Sequence, residues 1–173
     1  STNDETKTVL EQNQFDKLIY FQVPPEHRGL TRQRNFGTSK IGEGMEIICF
    51  LDDDTVLEQN YFENVVKTFN ENSDAVGVGG VAINENKWKV NDKGVNQSSK
   101  YYTLESYYIK ESSRNYLRNI LGLGSNELPG VMPEFSNGKT CYYPLNGKAY
   151  PVDLIVGMSM NFKREVFNKI KFS

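Results

Sequence analysis

The chain has 173 residues, 38% hydrophobic and 24% charged, the size and balance of an ordinary globular domain with enough length to bury a core. Its net charge of -2 gives no footing for nucleic acid or an anionic lipid surface, and no apolar run approaches the roughly 20 residues of a membrane span. One histidine and two cysteines leave little for a histidine metal cluster, a Ser-His-Asp triad or a disulfide framework, and a reducing compartment is the better expectation.

Thr2 and Glu5 have capping-box spacing, and a short polar helix is expected through "DETKTVLEQN". "KLIYFQV" is rich in β-branched and aromatic residues and stops at Pro24 and Pro25, which predicts a strand. A helix with a weak apolar face (Leu30, Phe36, Ile41) is expected over "LTRQRNFGTSKIG". "EIICFL" is a near-continuous apolar run of strand length, the pattern of a strand buried on both faces, with Cys49 as a core residue. Tyr61, Phe62, Val65, Val66 and Phe69 recur at helical spacing, and "DAVGVGGVAI" reads as another strand whose glycines admit a close neighbour.

Strands and helices alternating in this way predict βαβ units, hence an α/β fold with a mostly parallel sheet sandwiched by helices. In such folds ligands gather at the carboxyl ends of the strands, where Asp52, Asp53 and Asp54 fall. From Asn84 to Tyr150 the composition shifts to Asn, Lys, Ser, Gly and paired tyrosines (Tyr101 and Tyr102, Tyr107 and Tyr108, Tyr142 and Tyr143). That stretch reads as a loop-rich insertion in a single domain over 1–173, with one helix around "SSRNYLRNILG" and the tyrosines serving core and hairpin packing. A strand through "VDLIVG" and a helix carrying Val166, Phe167 and Ile170 close the chain.

Three adjacent carboxylates repel one another, so their placement needs a reason. One of them could cap the next helix, although capping needs only one. An EF-hand calcium loop fails, because Val56 and Leu57 stand where a ligand and the obligatory glycine belong. "CFLDDDTV" resembles the D-x-D-x-[T/V] signature of haloacid-dehalogenase-like phosphatases, which would make Asp52 a nucleophile and Asp54 an acid. The later aspartates Asp74, Asp92 and Asp153 are isolated and do not form that family's second acidic pair. The third reading is a D-x-D site for Mn²⁺ or Mg²⁺ and a nucleotide diphosphate, since these hard cations take one or two carboxylates together with substrate phosphate oxygens. Alternation along an extended chain would let Asp52 and Asp54 share that task while Asp53 turns away.

Four separated stretches resemble family 2 glycosyltransferases. "STNDETKTVLE" is similar to the segment after the nucleotide-binding strand, and "RGLTRQRNFGTSKIGEG" to a G-x-x-x-x-R-N-x-G helix, here Gly29, Arg34, Asn35 and Gly37. "IICFLDDDTVLEQNYFENVV" resembles the strand, D-x-D and helix that follow, and "VDLIVGMSMNFKREVFNKIKFS" the later glycine turn, strand and R-R-E-x-F segment. The resemblance implies a Rossmann-like A-type (GT-A) nucleotide-diphospho-sugar transferase fold. It also implies metal-assisted and commonly inverting transfer of a sugar, from a UDP- or GDP-type donor to a glycan, lipid or protein hydroxyl in polysaccharide or glycoprotein synthesis. By position, Asp54 would ligate the metal, and Asp52 the metal or the donor's ribose. Arg34 would lie near the base or diphosphate, and Gly157 and Met158 would line the sugar and acceptor pocket.

The resemblance further implies that the family's first strand and base-holding acidic pair precede Ser1, and that its general base lies beyond Ser173. Asp153 and Glu134 are stand-ins for that base, neither at the matching position, and His27 reads as an exposed loop residue. The expectation is therefore most of a donor-binding core with little activity alone. It would be cytoplasmic or at the cytoplasmic face of a membrane reached through other segments. A non-catalytic nucleotide-sugar or glycan-binding module is the alternative of a different class.

Overall fold

The computed structural model describes residues 5–13, 15–135, 138–139 and 142–173, so Thr2 of the expected capping box and Cys141 fall outside it. The chain forms two compact units, one from the residues up to Glu46 together with Arg164–Ser173, the other from Ile47–Lys163.

In the first unit, helix α1 (Glu5–Gln12) is polar and short, as its sequence predicts. Helix α2 (Leu30–Thr38) starts after Gly29, whose φ of 110° is one that glycine adopts without strain. Its Asn35 fastens the C-terminal segment twice: Nδ2 donates to the Phe172 carbonyl (2.8 Å) and Oδ1 accepts from the Phe172 N–H (3.0 Å). The predicted strand over "KLIYFQV" is not formed; Leu18, Ile19 and Phe21 are exposed and no ladder includes them. β-Propensity acts through cross-strand packing, and among the described residues this stretch has no partner strand. A short 3₁₀ turn (Arg164–Asn168) replaces the helix expected around Val166 and Phe167.

The second unit holds a three-stranded sheet in the order β1 (Ile47–Leu51), β6 (Ser159–Lys163), β2 (Gly77–Gly79). Strand β6 lies between the other two and runs antiparallel to both, from Ile47 opposite Lys163 to Leu51 opposite Ser159. The mostly parallel sheet is thus corrected at the pairings seen here. β1 and β2 do run in the same direction, but a strand from far along the chain separates them. Helix α3 (Tyr61–Glu71) covers one face and buries Val65 and Phe69. Gly77 and Gly79 are needed on the other face, where a Cβ would come within 3.0 Å of the Phe162 ring and 2.9 Å of Ile155.

Strand β6 also overturns the expected strand through "VDLIVG". The apolar residues Leu154 and Val156 are 45% and 44% exposed, whereas Ser159 and Asn161 are 1% and 0% exposed. Their burial is compensated by hydrogen bonds. Asn161 Nδ2 donates to the Tyr61 hydroxyl (2.8 Å) and the Val78 carbonyl (2.9 Å), the Tyr61 and Ser159 hydroxyls bond each other, and the Gly80 N–H donates to Ser159 Oγ (3.2 Å). Removing one member leaves the others buried and unpaired, so Asn161→Ala should cost about 1–3 kcal/mol, read as a lower urea midpoint.

The 84–150 stretch consists largely of loops around three short strands and one helix. Strands β3 (Lys89–Val90), β4 (Tyr101–Leu104) and β5 (Tyr107–Lys110) form an antiparallel sheet with β5 in the middle, followed by helix α4 (Ser113–Ile120), which Ser112 caps. The tyrosines pack against aromatic neighbours: Tyr101 on Tyr108 and Tyr102 on Trp88 edge-on at 6.0 Å, and Tyr143 stacked on Tyr150 at 4.0 Å.

Candidate functional site

The aspartates stand where β1 stops. Beyond Leu51 the chain leaves the ladder and turns, with the Thr55 N–H donating to the Asp52 carbonyl (3.1 Å), and all three carboxylates are exposed. Strand alternation therefore does not extend through Asp54; a turn, not a pleat, sets the relation of Asp52 to Asp54.

The antiparallel register supplies their neighbours. Continuing the pairing of Leu51 with Ser159 by one step brings the Asp52 N–H to the Met158 carbonyl at 3.2 Å. Asp52 and the Gly157–Met158 pair thus meet, and a Cβ on Gly157 would point into open space, with no atom within 4 Å. Arg34 belongs to the other unit, half-buried on α2, with its guanidinium 5.5 Å from the centre of the Phe172 ring.

Two groups that the sequence did not place at the aspartate turn, Tyr142 and Glu85, lie beside Met158. The Tyr142 hydroxyl is 3.7 Å from the Met158 sulfur and donates to Glu85 Oε2 (3.1 Å). Partial burial, with help from the Glu85 carboxylate, holds the Tyr142 phenol above its usual range, so it stays a neutral donor at physiological pH. Of the stand-in bases, Asp153 accepts the Met132 N–H (2.9 Å) and staples a loop, while Glu134 is exposed. His27 is exposed and packs on Phe36.

Among the described residues no three His, Cys, Asp or Glu side chains converge on one point. A metal at the turn would thus have at most two carboxylates, which is how Mg²⁺ and Mn²⁺ are held when substrate phosphates complete the sphere. The exposed, hard-oxygen donor set fits such an ion.

An exposed acidic turn thus stands at the carboxyl end of β1, in a unit that combines sheet and helix. The family profile of glycosyl transferase family 2 matches residues 1–123, and the chain belongs to that family of enzymes. The match supersedes the phosphatase alternative. A 58-residue stretch is 36% identical to the glucosyl-dolichyl phosphate glucuronosyltransferase of Haloferax volcanii, covering 34% of this chain and 18% of that protein. No solved structure matches the chain.

Proposed function

We propose that the chain binds a nucleotide-diphosphate sugar of UDP or GDP type at the aspartate turn and serves its transfer to a hydroxyl acceptor. The observation that carries this reading is the exposed turn Asp52–Asp54 lying against Met158 within a family 2 chain. Asp54 and Asp52 would hold Mn²⁺ or Mg²⁺, which when bound supplies charge neutralisation on the departing diphosphate. Gly157 leaves room for the sugar. Tyr142 and Glu85 line the acceptor side, where Glu85 is a carboxylate able to accept a proton from an incoming hydroxyl.

The Haloferax relative, by its name, acts on a glucosyl-dolichyl phosphate, and that kinship supports a lipid-linked saccharide among the possible glycan, lipid and protein acceptors. Such an acceptor would place the reaction at a membrane surface, on its cytoplasmic face where nucleotide sugars are made. No helix of the described residues is long and apolar enough to cross a membrane. Calorimetric titration of UDP and of GDP with Mn²⁺ tests the reading. It predicts binding that EDTA abolishes, and heat-silent titrations of both nucleotides with either metal would sink it.

A further inference from the structure

The tyrosine-rich stretch contains a cavity of about 280 Å³ lying between the segment before β4 and the loop after α4. At its base Lys139 and Glu111 form an ion pair of 3.1 Å, with side chains only 9% and 5% exposed. The pair has further neighbours: Asn115 Nδ2 donates to the second Glu111 oxygen (3.0 Å), and the Lys139 ammonium sits 3.7 Å from the Tyr102 ring centroid. Its charges cancel, so the cavity offers no net attraction to a phosphate or a carboxylate.

The walls are hydroxyls and amides. Gln97 and Asn126 are both exposed at the rim. Asn126 makes no hydrogen bond among the described residues, and the Gln97 amide N–H groups are likewise uncommitted, its oxygen accepting only from Thr103 at 3.4 Å. Gly124 lets the Asn119 amide pack close to the chain at the cavity wall, because a Cβ there would run into it. An amide presents a donor and an acceptor side by side, which matches vicinal hydroxyls that each donate and accept. An apolar ligand would strand these groups, and a volume near the lower end for small-molecule sites, about 300 Å³, suits one ring rather than a nucleotide.

We propose that this cavity is a saccharide subsite, taking a single neutral, hydroxyl-rich sugar unit apart from the aspartate turn. It does not rest on the donor reading, since its residues and those of the turn share no side chain.

Trp88 is the chain's one tryptophan and touches Tyr102 on the cavity wall, so its emission reports on this place. Glucose, galactose, mannose and N-acetylglucosamine are titrated without metal, following Trp88 emission and saturation-transfer NMR. At least one sugar should bind saturably with a Kd of about 1 mM or weaker. The double substitution Gln97→Ala and Asn126→Ala should weaken it about tenfold or more without moving the urea midpoint, whereas Asp54→Asn should leave it unchanged. Inorganic phosphate should give no saturable response. The proposal is overturned if no sugar gives either signal, if the double substitution leaves sugar binding intact, or if phosphate binds as well as the sugars. A result in which UDP binding fails but sugar binding persists would remove the donor reading and leave this one standing.

Discussion

Replacing Glu111 with leucine is expected to destabilise the second unit by about 3–5 kcal/mol. The Lys139 ammonium would remain in place, 9% exposed, with its anion gone and only the Tyr102 face for compensation. Removing both charges is a different experiment. Glu111→Leu with Lys139→Met exchanges a desolvated pair for apolar packing, which is commonly neutral or stabilising by about 1–4 kcal/mol. Urea unfolding of the two singles and the double therefore forms a cycle in which the double lies far above the sum of the singles. Additive losses would show that the pair is solvated and that the cavity floor is not dry. The contrast with Lys148 and Glu105 shows why distance does not decide the matter. That pair is shorter, 2.8 Å, but its side chains are 56% and 39% exposed, and breaking it should change stability little. Burial, not the 0.3 Å in contact length, decides which pair matters.

The same physics explains what could be read from the sequence. β1 and α3 were legible because their apolar residues carry the pattern, a continuous run in one and helical recurrence in the other, although β1 buries only Ile48 and leaves Cys49 half-buried instead of closing both faces. β6 was not legible from its apolar pattern, and only the family resemblance placed a strand after the Gly157 turn. Its buried side chains include Ser159 and Asn161, whose burial is made tolerable by Tyr61, about 100 residues earlier, together with the Val78 carbonyl and the Gly80 N–H. The neighbouring "VDLIVG" carries the apolar signal but hangs on a loop, with the Asp153 and Leu154 N–H groups donating to the Gly130 carbonyl. Element order suggested parallel neighbours; it could not reveal that β6 would insert between β1 and β2. Charge density singled out the aspartates, and family resemblance singled out Gly157 and Met158, which the fold brings beside Asp52. Glu85 and Tyr142 had no such announcement, because their contact spans 57 residues of sequence.

Asp54→Asn should separate function from stability in opposite directions. A metal that neutralises a departing diphosphate is worth several kcal/mol, and each 1.36 kcal/mol is tenfold, so transfer and Mn²⁺-dependent nucleotide binding should fall about 100- to 1000-fold. Without metal the same substitution removes one of three neighbouring negative charges in an exposed turn, where nothing is gained from their repulsion. The metal-free chain should then unfold at an equal or slightly higher urea concentration, and any gain should shrink as salt screens the cluster. Asp53→Asn relieves the repulsion equally and should keep nucleotide binding within a few-fold of wild type. Asp52→Asn should fall between them, because the backbone N–H still bonds the Met158 carbonyl while the proposed carboxylate contact to metal or ribose is replaced by a neutral amide. If Asp53→Asn were as damaging as Asp54→Asn, the turn would be presenting its side chains differently, with Asp53 facing the ligand. The ranking among the three thus tests the site's geometry, since removing a unit of charge is common to all of them.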